Sequence, residues 1–325
     1  MLGINSNINS LVAQQNLNTS GSALSQAITR LSSGKRINSA ADDAAGLAIS
    51  NRMQTQINGL NQGVSNSNDG VSMIQTASSG LAQITTSLQT IRTLAVQASS
   101  GSLSASDQAA LQQEVAQQIA EVSRVAAQTT YNGKNVLDGS AGNVSFQIGA
   151  DVGQTINLNL SQSVSAASMG TGLAPKGSTL TSISGVSLDA SGAATTGTAT
   201  PAITTVNVLA DGNGGFTFTD QNNQALSTAA SAALFGPATG TTGSTTTPVA
   251  LTLAGIGAFA SGTASADTTA SIAIANAVNV PPAVSAIDVS TTAGANAAMA
   301  SIDNALATVN NIQATLGAAQ NRLTS

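Results

Sequence analysis

Cysteine, histidine and tryptophan are absent from this 325-residue chain, and its aromatics are limited to one Tyr and five Phe. The lack of cysteine excludes disulfides and thiolate sites, and the further lack of histidine removes the usual nucleophilic triads. Without large aromatics, any core must be built from Leu, Ile, Val and Ala, which suit long helices packed side by side better than a globular enzyme interior. Charge is scarce as well: 7% of residues are charged, against roughly 25% in ordinary soluble domains. Ser, Thr, Asn and Gln must therefore cover the surface. A net charge of −5 with nine scattered basic residues offers no patch for a phosphate backbone, so nucleic acid is not an expected partner. No apolar run approaches the roughly 18 residues of a membrane span. The start, Met1-Leu2-Gly3-Ile4-Asn5-Ser6, has no charged stretch followed by an apolar one, so any export is expected to bypass the classical signal-peptide route.

What the chain does contain is helical periodicity at both ends and a different middle. Ile4, Ile8 and Leu11, then Leu17, Gly21, Leu24, Ile28 and Leu31, recur at three- and four-residue steps with a one-residue register slip between Leu11 and Leu17, and Ser32-Ser33-Gly34 supplies a helix stop. On its own this stripe reads either as an unstructured terminus or as a helix that orders against partners. A longer pattern follows Asp42-Asp43, with Met53, Ile57, Leu60, Val64, Val71, Ile74, Leu81, Ile84, Leu88, Ile91 and Leu94 near heptad spacing. A continuous helix of that span would be roughly 70 Å long. Gly59, Gly63, Gly70 and Gly80 lie inside it, each costing about 1 kcal/mol relative to Ala, so packing has to offset them. Ser104 and Asp107 form a capping-box pattern ahead of a stripe of Leu111, Val115, Ile119 and Val122. Asn132-Gly133 is a hairpin turn signal. Val144, Phe146 and Ile148, then Ile156, Leu158 and Leu160, alternate around Gly149–Gly153 as a β-hairpin.

From 161 to 292 the sequence turns rich in Thr, Ser, Gly and Ala. Thr204–Leu209 and Phe216–Thr219 read as strands joined by Asp211-Gly212-Asn213-Gly214-Gly215, while Thr239–Thr247 is of low complexity and reads as loop. Helical spacing returns at Ile302, Leu306, Val309, Leu316 and Leu323. The fold class is therefore α+β: long coiled-coil-like helices from both chain ends, a β-hairpin, and a β-rich insertion.

Several stretches together carry a family resemblance. Ile4–Leu31, the run Leu31–Ile49 through Ser33-Gly34-Lys35-Arg36-Ile37-Asn38-Ser39-Ala40-Ala41-Asp42-Asp43, Leu88–Gln97, Gln128–Lys134 and Leu316–Leu323 resemble bacterial flagellins. The middle resembles nothing recognisable. The resemblance implies an inner assembly helix at 1–40 and a long-helix domain at 41–160. It places a variable outer domain at 161–292 and the returning helix at 293–325. It implies a homopolymer of flagellin subunits, passed unfolded through the flagellar export machinery and added beneath a filament cap, hence an extracellular protein of the bacterial flagellum. Filament contacts are expected from Ile4, Ile8, Leu11, Leu17, Leu24, Ile28 and Leu31. Gln89, Leu94 and Glu114 resemble the patch that Toll-like receptor 5 contacts in many flagellins, with Thr90 where receptor-activating members often carry Arg, which would weaken that contact. The family's last helix continues further than Leu323, so the end of its carboxy-terminal helix is expected to be missing here.

No residue pattern calls for catalysis, a metal or a cofactor. Asp42 and Asp43 point about 100° apart on a helix and suit the positive end of its dipole better than acid/base work. Lys35, Lys134 and Lys176 lack any motif for a Ser-Lys pair. Asp211–Gly215 lacks the Lys-Ser/Thr ending of a phosphate loop. The leading function is a non-enzymatic filament subunit serving motility. The alternative is a surface binding protein whose insertion captures a glycan or metal ion.

Overall fold

The computed structural model describes residues 7–191, 193–195, 200–235, 249–253 and 266–325. Ile4 and the stretch Thr239–Thr247 lie outside the described residues. The chain divides into two compact units, Met1–Ser67 with Gln147–Thr155, and Asn68–Phe146 with Ile156–Ser325.

In the first unit, helix α1 spans Ile8–Ser33. The Asn7 side chain accepts from the Ser10 amide at 3.2 Å and so caps its start. Gly34, at φ 66°, closes it in the left-handed conformation that glycine tolerates best. The register slip between Leu11 and Leu17 is absorbed without interrupting the helix. Helix α2, Ala44–Ala98, begins where the Asp43 carboxylate accepts from the Gly46 amide at 2.8 Å. The helix-start role expected of the acidic pair thus falls to Asp43. Residues 147–155 lie against the part of α2 in this unit. Asn66 donates to the Gln147 carbonyl at 2.8 Å, and a Cβ on Gly63 would collide with the backbone carbonyl of Ile148. Gly63 therefore costs helix propensity and permits close approach of another backbone.

In the second unit the rest of α2 builds a core with helices α3 (Ala105–Gln128) and α6 (Thr292–Thr324). Ile74, Leu81, Ile84, Leu88 and Ile91 are completely buried, as are Val115 and Val122 from α3 and Ile302 and Val309 from α6. Helix α6 runs antiparallel to α2: Leu323 reaches Gly70, while Arg92 donates to Asp303 at 2.8 Å. The Ser104–Asp107 capping box forms as expected, with both reciprocal hydrogen bonds present. Strands β1 (Thr130–Tyr131) and β2 (Lys134–Asn135) pair across Asn132 and Gly133, both at positive φ as a tight hairpin requires. The predicted longer hairpin is β3 (Gly142–Gln147) with β4 (Thr155–Leu160), and Ile156, Leu158 and Leu160 all point into the core.

The insertion is built around an antiparallel sheet, as expected, and two helices are added to it. Strands β6 (Ile203–Ala210) and β7 (Phe216–Asp220) are the two read from sequence, antiparallel around a turn in which Asp211 accepts from the Asn213 and Gly215 amides, both at 2.7 Å. A third strand, β5 (Thr179–Leu188), pairs with β6, and helices α4 (Thr228–Phe235) and α5 (Ala266–Asn279) complete the domain. The sheet and both helices share one core, in which Phe218 and Phe235 stack at 4.5 Å. Helix α5 also packs on α6. Entry to the insertion and exit from it are stitched together: the Val284 amide donates to the Met169 carbonyl, and the Ser285 amide to the Ala166 carbonyl, both at 2.9 Å. The Gln112 amide group bonds the exit segment on both sides, accepting from Val289 N at 2.7 Å and donating to the Ile287 carbonyl at 3.2 Å.

Candidate assembly surface

Helix α1 buries none of its residues. Its stripe is nonetheless apolar: Ile8 is 67% exposed, Leu11 68%, Leu17 77%, Leu24 62%, Ile28 58% and Leu31 86%. Each such side chain forgoes roughly 1.5–3 kcal/mol that full burial would return. A contiguous exposed apolar face of this kind marks an interaction surface.

The surface is larger than the sequence suggested. The stripe from Met53 to Leu94, whose spacing favours packing within the chain over packing between subunits, is split by the structure. From Ile74 onward it is core, whereas Met53, Ile57, Leu60 and Val64, with Ile49 before them, are each more than half exposed. Periodicity reports that a face exists and says nothing of what covers it. The four exposed members join the six described residues of α1 as candidates.

A polar joint connects the two stripes. The Asp42 carboxylate accepts from Gln26 Nε2 in α1 at 2.7 Å and from the backbone amides of Asn38 and Ser39 at 3.2 and 3.1 Å. It also accepts from the Ser39 hydroxyl at 3.3 Å. These donors, the Gln26 amide first, hold the carboxyl below its usual pKa range. An open cleft of about 780 Å³ lies between α1 and this loop, lined by Gln26, Thr29, Arg30, Asn38 and Asp42 among others. Sequence spacing gave no hint of the joint, since Gln26 and Asp42 are 16 positions apart. The basic residues, scattered in sequence, also partly gather: Arg30, Lys35 and Arg36 line one neighbouring cleft.

The residues resembling a receptor patch are not alike in exposure. Gln89 and Glu114 are exposed, whereas Leu94 is buried, with 8% of its surface accessible. Thr90 is half-buried and its hydroxyl donates to the Thr86 carbonyl at 3.0 Å. Among the described residues no three His, Cys, Asp or Glu side chains converge as metal ligands. In the insertion, Asp211 and Asp220 direct a carboxylate oxygen at amides of their own turns. Among the described residues no helix is long and apolar enough to cross a membrane.

Long helices from both ends of the chain, enclosing an inserted domain of sheet and helix, define the class of fold. Residues 4–142 match the bacterial flagellin N-terminal helical region, and residues 172–278 match the flagellin D2 domain. The second match assigns the middle, which the sequence alone left without a relative. The chain is 52% identical over 169 residues to the B-type flagellin of Pseudomonas aeruginosa, a match covering 52% of this chain and 34% of that protein. It is 47% identical over 157 residues to flagellin E of Vibrio cholerae, covering 48% of this chain and 42% of that protein. The solved structure of FliC from Burkholderia pseudomallei superposes with a TM-score of 0.70 at 59% identity, covering 78% of this chain and 99% of that one. The chain belongs to the bacterial flagellin family, a family of structural proteins. It spans well under half the length of the two curated relatives.

Proposed function

We propose that this chain is a structural, non-catalytic subunit of the bacterial flagellar filament, polymerising through coiled-coil packing of its helical ends to serve motility. The observation that carries the proposal is the bare apolar face of α1, continued by Ile49 to Val64 on α2. Folding of the chain alone leaves that face in water, and copies of the same chain would bury it. Scarce charge fits this role, because close-packed subunits then bring few like charges together. In the same reading the subunit leaves the cell through the flagellar export machinery, adds beneath a filament cap, and resides outside the cell. Contact with Toll-like receptor 5 would run through the exposed Gln89 and Glu114, with Leu94 buried and Thr90 weakening it.

Seeded growth tests the proposal. Fragments of a flagellin filament are mixed with the chain, and length is followed by electron microscopy. The subunit carrying the family's full carboxy-terminal helix should extend the seeds, the chain ending at Ser325 should add poorly, and Leu24→Ser with Leu31→Ser in the longer subunit should abolish extension while leaving helical content unchanged. Extension unaffected by the double change would remove α1 from the interface.

A further inference from the structure

We infer that the connection between α1 and α2 is a cationic docking surface for carboxylates of a second copy of this chain, an inference that rests on the filament reading above. The chain's charge is unevenly placed. Of nine Lys and Arg, four (Arg30, Lys35, Arg36 and Arg52) fall within residues 1–67, and the first unit holds only Asp42, Asp43 and Asp151 of the fourteen acids. All other acids, and five cations, belong to the second unit.

The two acids nearest the cluster in sequence are already committed. Asp42 spends its carboxylate on Gln26, Asn38 and Ser39, and Asp43 on the start of α2. Among the described residues the ion pairs are Arg92 with Asp303 and Arg124 with Glu121. Among the described residues Arg30, Lys35 and Arg36 have no carboxylate partner, and all three are exposed. They surround an open cleft of about 520 Å³ whose apolar lining is Ala23, Ala27 and Leu31.

An apolar cleft rimmed by cations selects an apolar side chain flanked by an acid. A second copy supplies this chemistry, because the second unit of every copy carries the acid excess. The physical need is register. Apolar stripes alone tolerate sliding, whereas opposite charges fix orientation and penalise wrong alignments. With 7% of residues charged, few other groups are available to set it.

The test is charge reversal with a matched control. Lys35→Glu with Arg36→Glu is compared with Lys134→Glu with Lys176→Glu, which changes net charge equally at distant positions. Lys35→Gln with Arg36→Gln serves as a neutral third variant. Elongation from filament seeds is measured at roughly 50 and 500 mM NaCl, where screening lengths differ severalfold, and circular dichroism checks folding. The first reversal should slow elongation by about tenfold at low salt, the neutral pair less, and the control little. The gap should narrow at high salt. Equal effects of the two reversals, or none from either, would overturn the inference and leave the filament reading intact. All variants are made in the subunit carrying the family's full carboxy-terminal helix, and failure of that subunit without substitutions to extend seeds would remove both.

Discussion

The two halves of α2 carry the same apolar rhythm and meet opposite fates. Between Ile74 and Leu94 the stripe is buried in the core of the second unit, whereas Met53 to Val64 faces solvent. What differs is the neighbourhood and not the stripe. In the second unit other elements of the same chain supply a cover. In the first, α1 leaves its own apolar face open and residues 147–155 reach only the side of α2 marked by Gly59 and Gly63. One heptad pattern thus runs through both an interior and an exposed apolar face. The division teaches that unburied apolar surface is better evidence of assembly than periodicity is.

The sharpest way to break this comparison is to truncate one residue on each side. Leu88→Ala empties a completely buried site and should cost about 2–5 kcal/mol, read as a lowered denaturation midpoint. Leu60→Ala, at a position 51% exposed, should shift stability by no more than about 0.5 kcal/mol yet slow seeded growth. Equal destabilisation by both would mean that Met53–Val64 is covered within its own chain.

A smaller effect is expected at the contact of α2 with residues 147–155. In Gly63→Ala the new methyl group meets the Ile148 carbonyl, a backbone atom that cannot rotate away. Displacement should cost about 1–3 kcal/mol. It should appear locally, as faster hydrogen exchange at the Ile148 amide, which donates to the Gln154 carbonyl at 2.9 Å. Unchanged exchange would show that the close approach is not maintained in solution.

The smallest effect concerns the joint at Asp42. Its folded pKa lies below the ordinary 3.8, so the joint is favoured by the ionised form. That contribution is complete above the ordinary value and is lost as pH falls through the lower folded one. Proteolysis within Lys35–Ala41 should therefore accelerate on acidification through that window, measured with an acid-tolerant protease. Asp42→Asn should show fast cleavage already at neutral pH and little further change. Parallel pH profiles in the two proteins would exclude Asp42 as the organising group.

Much of this architecture was legible because local chemistry specified it. Gly34 ended α1, Ser104 and Asp107 capped α3, and Asn132-Gly133 turned the small hairpin, each through a requirement its own residues meet. The hairpin strands followed from strict alternation. Strand β5 was not legible, because its ladder with β6 shifts register twice and Gly185 breaks the alternation. Helix α5 escaped as well, since Ala270-Ser271-Ile272-Ala273-Ile274-Ala275 alternates like a strand until a sheet and α6 choose its conformation. Of the candidate surface, the α1 residues could be named in advance, but Met53–Val64 could not. The Asp42 joint depends on a fold in the chain that no local pattern announces.

The stitch between Ala166–Met169 and Val284–Ser285 has a consequence for chain entropy. Native hydrogen bonds already hold together the points where the insertion leaves and rejoins the helical core. The cost of closing that excursion rises only with the logarithm of its length, about 0.6 kcal/mol for each doubling. Residues gained or lost beyond the stitch would then change the closure cost little, provided the contact of α5 with α6 survives. The inserted part of the molecule is in this sense thermodynamically decoupled in length from the helical core, and can be rewritten at a tempo of its own.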